Sequence, residues 1–187
     1  IGSSAEYGNT KSPIRENSKC NPTTPYGIAK FTCSQFLQNI YNIDKFPSTI
    51  LRLFQVYGPY QGKNRILPYV IEQCKKNKKF PTTKGEQYCD FCFIDDVVKA
   101  VFKVFLSKNT NGKIINIGSA KPIKIKNIIK LVCKKVGKGK PLFGKLPYRK
   151  GTNMNFYPSI GKAKKIIRWY PKINITEGLN ILIKHSY

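Results

Sequence analysis

Tyr26 and Lys30 stand four residues apart at the opening of an apolar-periodic run, downstream of a serine-rich stretch, Gly2-Ser3-Ser4-Ala5-Glu6-Tyr7-Gly8. Positions i and i+4 share a helix face, so a phenol and an ammonium at that spacing can address one bound molecule. A lysine beside a tyrosine favours the phenolate electrostatically and makes that phenol a usable acid or base near neutral pH. A serine hydroxyl reaching the same place can bind the oxygen on which the tyrosine acts. The combination is suited to redox chemistry on an alcohol. Tyrosine and lysine are also common on solvated helix faces, so the pair alone carries little and the surrounding elements decide.

Periodicity supplies those elements. Ser3 and Ser4 follow an apolar residue, as at the end of a buried strand, and Gly8, Pro13, Pro22 and Pro25 lead into the helix that carries Tyr26. That helix is expected over 26–42, with Phe31, Phe36, Leu37 and Ile40 on its apolar side. A strand follows at 48–54, closed by the Tyr57-Gly58-Pro59 turn, then a helix at 65–76. A buried strand is expected at 88–94, a helix opened by acidic residues at 95–106, and a strand at 113–117. Residues 125–136 repeat apolar side chains at helical spacing and stop at Gly137, an amphipathic helix with a glycine terminator. A short strand at 141–143 and helices near 159–167 and 176–184 complete the chain. Alternating strands and helices imply an α/β architecture built on a parallel sheet.

The chain is 41% hydrophobic and 12% aromatic over 187 residues, enough for one core, or a core and a lobe. No apolar run approaches the roughly 20 residues that span a bilayer, so no membrane partner is expected. The cysteines at 20, 33, 74, 89, 92 and 133 are scattered through ordinary elements and are read as reduced thiols of a cytoplasmic protein. Cys89 and Cys92 form a C-x-x-C, but zinc needs further ligands and the single histidine, His185, lies far away in sequence. No metal is expected. The 34 Lys and Arg against 9 Asp and Glu give a formal charge of +25, which raises a nucleic-acid-binding module as the contrasting class. Its lysines are spread along the chain, as on a solvated basic surface, and a positive cleft would also steer an anionic substrate. No nucleic-acid partner is therefore expected.

Ser3, Tyr26 and Lys30, in that order and spacing, resemble the catalytic triad of the extended short-chain dehydrogenase/reductases, in particular the NAD-dependent epimerases and dehydratases of nucleotide sugars. Leu51-Arg52-Leu53-Phe54-Gln55-Val56-Tyr57-Gly58-Pro59 resembles the R-x-F-N-x-x-G-P segment that lines cofactor and substrate in that family. Asp90-Phe91-Cys92-Phe93-Ile94-Asp95-Asp96-Val97 is similar to R-D-F-x-Y-V-D-D-V, and Asn116-Ile117-Gly118-Ser119 to the N-I-G-S turn. Leu146-Pro147-Tyr148-Arg149-Lys150-Gly151 resembles a late segment whose arginine binds the substrate diphosphate. Trp169-Tyr170-Pro171 and Thr176-Glu177-Gly178-Leu179 are similar to the closing W-x-P and E-G-L. The resemblance covers nearly the whole chain.

It implies the C-terminal half of a Rossmann-like parallel sheet with a small mixed α/β substrate-binding lobe, divided at about 1–120 and 121–187 with the two parts interleaved. It implies NAD or NADP as cofactor, held in part by Tyr26, Lys30 and Phe54, and a nucleotide sugar held by Ser4, Gln55 and Arg149. It also implies homodimers paired through the Tyr26 helix. Two positions depart from the pattern: Cys89 stands where the family carries a phosphate-binding arginine, and Gln55 where asparagine is usual.

No G-x-x-G-x-x-G turn occurs in these residues, so the chain is read as the rear part of a longer enzyme, unable to hold the dinucleotide by itself. An inactive truncated homologue is the other reading of the same fact. Dehydratases of the family carry Asp-Glu where Ser4 and Ala5 stand here, which favours an epimerase or a deoxysugar 4-ketoreductase.

Overall fold

Three short parallel strands form the platform of the molecule, in a computed structural model that describes residues 1–186. Tyr187, the last residue of the expected lobe, lies outside the described residues. The first strand, β1 (Gly2–Ser3), ends at a 3-10 turn over Ser4–Tyr7. It is followed by α1 (Pro25–Asp44), β2 (Thr49–Leu53), β3 (Val56–Tyr57), α2 (Ile66–Lys75), β4 (Lys79–Thr82), β5 (Tyr88–Cys89) and β6 (Cys92–Phe93). The second half contains α3 (Ile94–Phe105), β7 (Lys113–Ile117), β8 (Ile123–Lys124), α4 (Ile125–Val136), β9 (Lys140–Phe143), β10 (Asn155–Phe156), α5 (Gly161–Ile167) and α6 (Ile175–Lys184).

The sheet order is β1-β2-β7 with parallel pairing throughout, Gly2 opposite Arg52 and Leu51 opposite Ile115. The α/β class expected from the alternation of elements is the one observed. Side chains alternate across a strand, so Leu51, Ile115 and Ile117 meet Val97 and Ala100 of α3 and Ala163 and Ile167 of α5, with Trp169 closing that core. Trp169 donates its indole N–H to the Asp96 carbonyl, and the Asp96 carboxylate accepts the Lys172 and Ile173 amides. The tail is thereby pinned to the first turn of α3.

A second core lies beside the sheet and joins distant parts of the sequence. Leu67, Val70, Ile71 and Cys74 of α2 pack against Ile125, Ile128, Ile129 and Val132 of α4, with Tyr57, Phe93 and Leu179. Gly178 sits against the Tyr57 ring so closely that an added Cβ would overlap the phenol oxygen and approach Cζ to 2.7 Å. A side chain there must push α6 off the ring. Gly178→Ala is expected to lower the unfolding free energy by about 1–3 kcal/mol, read as a fall in urea midpoint.

Several expectations are corrected. The single strand expected over 88–94 is two, because Tyr88 and Cys89 pair with β8 and β10 while Cys92 and Phe93 pair with β3. Asp90 turns between them to meet Ser119. The pairs β4–β9 and β5–β10 join strands too short to show a period. On α1, Phe36 is 62% exposed although it was expected on the buried side. That helix meets β1 and the 3-10 turn, and the residues it buries are Gly27 and Ser34.

Candidate active site

Gly27 brings the Tyr26 helix to the serine turn. Thr24 caps α1 by accepting the Gly27 amide at 3.1 Å, with Pro25 in the first turn. An added Cβ on Gly27 would lie 2.7 Å from the Ala5 carbonyl oxygen. The helix start can therefore rest directly on the Ser4–Tyr7 turn.

Ser3 is held by a reciprocal cap. Its Oγ accepts the Ala5 amide at 3.2 Å, and its own amide donates to Glu6 Oε1 at 2.8 Å. With the oxygen engaged as acceptor, the hydroxyl proton remains free to donate. Glu6 is fully buried, and its other oxygen takes Arg52 Nε at 2.7 Å. Arg52, also buried, lies 4.5 Å from the Tyr7 ring centroid. Burial pushes the Tyr7 phenol up to about 12, so it stays protonated and donates to Asn116 Oδ1 at 2.7 Å. A chain of buried polar groups thus backs the strand end that presents Ser3.

In front of this network opens a cleft of about 990 Å³. Ser3, Ser4, Tyr26, Phe54, Gln55 and Arg149 all line it. Tyr26 is 59% exposed. Phe54 packs between Tyr7 and Phe156 at the cleft floor, with centroids 6.3 and 5.5 Å away. The Arg149 carbonyl accepts both the amide and the hydroxyl of Thr152, which fixes the turn that carries this arginine. Lys30 is not on the cleft wall: its ammonium donates to the Ile1 carbonyl at 3.1 Å and lies 6.0 Å from the Tyr26 ring centroid. Cys89 is likewise absent from the wall, and burial beside Asp90 pushes its thiol up to about 11.

Sequence reasoning missed three contributors. Arg65 joins Arg149 as a cation on the cleft wall among the described residues. Asp90 also lines the cleft, buried and held by the Ser119 amide at 2.8 Å and hydroxyl at 2.6 Å, and burial raises its carboxyl above the ordinary range. The Glu6–Arg52 pair is the third. An arginine inside the apolar run Ile50-Leu51-Arg52-Leu53 was the signal for it, since a buried charge requires a partner.

The sequence model of the NAD dependent epimerase/dehydratase family matches residues 1–118. The chain belongs to the NAD-dependent epimerase/dehydratase family. Among members of this epimerase/dehydratase family, it is 29% identical to the uncharacterized UDP-glucose epimerase YtcB of Bacillus subtilis (strain 168), over 94% of this chain and 56% of that protein. It is 31% identical to the dTDP-D-glucose 4,6-dehydratase of Homo sapiens, over 95% of this chain and 52% of that one. The crystal structure of UDP-glucuronic acid 4-epimerase from Bacillus cereus, in complex with UDP-glucuronic acid and NAD, superposes with a TM-score of 0.92 at 28% identity. It covers 100% of this chain and 60% of the other. The chain thus spans little more than half the length of these epimerase/dehydratase relatives, and its fold is the Rossmann-like one they share. Among the described residues no helix is long and apolar enough to cross a membrane, and no three metal-ligating side chains cluster.

Proposed function

We propose that this chain forms the rear part of an NAD(P)-dependent nucleotide-sugar epimerase that oxidises and re-reduces C4 of the sugar, with Ser3, Tyr26 and Lys30 as its catalytic group. The observation that carries this reading is the single cleft onto which Ser3, Tyr26, Gln55 and Arg149 converge. We divide the chain into a cofactor-domain part, 1–120, and a mainly substrate-binding part, 121–187.

In this reading Tyr26 accepts the proton of the sugar hydroxyl while Ser3 donates a hydrogen bond to the same oxygen. Lys30, anchored on the Ile1 carbonyl, keeps a positive charge beside that helix turn. The Gln55 amide orients the sugar, and Arg149 forks the diphosphate. Tyr26 and Phe54 fit the ring-bearing end of the dinucleotide, with Lys30 behind Tyr26. No glycine turn for its pyrophosphate exists in these 187 residues, so that half of its contacts must come from elsewhere. When bound, NAD supplies the acceptor and the donor of hydride. Ile28, Phe36 and Ile43 remain exposed on α1, which supports pairing of two copies through that helix.

Glu6 bears on the choice within the family. An elimination catalyst needs a free acid and base beside the sugar, and Glu6 is committed to Arg52 and the Ser3 amide. This supports an epimerase, or a deoxysugar 4-ketoreductase, over a dehydratase. The test is to supply a protein with a complete cofactor site with NAD and UDP-glucuronic acid and follow the C4 epimer by NMR. Arg149→Ala is expected to raise KM by about tenfold or more, since a hydrogen bond to a charged group contributes about 1.5–3 kcal/mol, with a smaller change in kcat. Absence of any C4 product with UDP- and dTDP-sugars, with NADH and NADPH also tried in the reductive direction, overturns the proposal.

A further inference from the structure

A second cavity, of about 540 Å³, lies apart from the catalytic cleft. Three cations reach it from separate segments: Lys121 after β7, Lys164 within α5, and Arg168 at the end of α5. Its other wall is apolar, with Ile160, Tyr170 and Pro171. Among the described residues none of the three cations forms an ion pair. Their charge is therefore available, and its concentration in a concave site distinguishes it from the lysines dispersed over the surface.

The backbone at two lining residues is left-handed. Arg168 occupies the left-handed C-cap of α5, at φ 47° and ψ 45°. Glycine takes that conformation at no steric cost and is the usual residue there. Lys45 ends α1 in the same conformation, so at Arg168 the geometry is that of a helix end, and it turns the chain at the rim of the cavity. Ala120, on the same wall, is also left-handed at φ 54°. Both residues line this one cavity.

We propose that this cavity binds a small phosphate-bearing molecule, its phosphate held by Arg168, Lys164 and Lys121 and its ring or apolar part set against Tyr170 and Pro171. Arg168 suits a phosphate because its planar fork meets two oxygens at once. The site shares no lining residue with the substrate cleft but is joined to it by one contact. Ser119 lines the second cavity, and its amide and hydroxyl are bonded to Asp90, which lines the first.

Calorimetric titration of the purified protein with inorganic phosphate, and separately with phenyl phosphate, tests this. Both are run in an Arg65→Ala, Arg149→Ala background, so that loss of both cleft arginines separates this site from the proposed catalytic one. Saturable one-to-one binding is expected. Arg168→Gly, which relaxes the backbone, and Lys164→Glu should each weaken it by about tenfold. Lys134→Glu, the same charge change on the exposed side of α4, should weaken it by less than about threefold. Tighter binding of phenyl phosphate than of inorganic phosphate, lost in Tyr170→Ala, would assign the ring to the apolar wall. Non-saturable binding, or equal losses from Lys164→Glu and Lys134→Glu, overturns the proposal, because either makes the attraction a property of the whole basic surface.

Discussion

Tyr26→Phe is expected to cut turnover of a nucleotide sugar by about 10²- to 10⁴-fold, the range for loss of a positioned acid–base group, while the unfolding midpoint stays unchanged. The phenol is more than half exposed and its ring packs in none of the buried cores, so removing one oxygen leaves no cavity and no orphaned partner. Activity and stability therefore separate at this position. The measurement is kcat beside a thermal melt, on protein with its complete cofactor site. Turnover within a few-fold of the parent would show that the proton leaves by another route, and the catalytic assignment would fall with it. Such silence would also fit the basic-module reading, in which Tyr26 and Lys30 are incidental.

Glu6→Ala is expected to have the largest effect on stability, about 3–5 kcal/mol, because it strands a buried guanidinium. A domain of this kind has only about 5–15 kcal/mol in hand, so the variant should show a large drop in denaturant midpoint and a substantial unfolded fraction at physiological temperature. Replacing both partners with apolar residues, Glu6→Leu with Arg52→Met, should recover much of that loss, since neither charge then remains unpaired. Equal destabilisation of the single and double variants would contradict the assignment of the cost to the stranded charge. Because Glu6 also receives the Ser3 amide, the recovered double variant should fold yet hold the Ser3 hydroxyl less firmly.

Much of the scaffold could be read from residue order. The helix at 125–136 was legible because five apolar residues recur at one period and Gly137 stops it. The strand at 49–53 was legible as the run expected over 48–54 and closed by the Tyr57-Gly58-Pro59 turn. Two-residue strands carry no period of their own. Their partners lie 34 to 67 positions away in β3–β6, β5–β8 and β5–β10, and nothing local marks such a pairing. At the site, Ser3, Tyr26, Gln55 and Arg149 were visible through their motif contexts, whereas Asp90 was read as part of a continuous strand. Its role depends on Ser119, which only the fold brings near. Glu6 stands in the serine-rich stretch with no partner for it nearby in sequence. Its partner Arg52 comes from an adjacent strand, and register, unlike spacing, is not written in either segment alone.

The core that unites residues 57–93 with residues 125–182 also sets an order of events during synthesis. The apolar face of α2 is complete long before the α4 and α6 side chains that cover it have been translated. Chains emerge at roughly 5–20 residues per second, so Leu67, Val70, Ile71 and Phe80 spend several seconds without their eventual cover. The same holds for the β4 edge, which receives β9 only after Phe143 has been added. Non-local pairings of this kind also slow folding once the chain is complete. A nascent chain of this protein therefore passes through an interval in which a chaperone, or another unpaired strand, competes with its own unfinished tail.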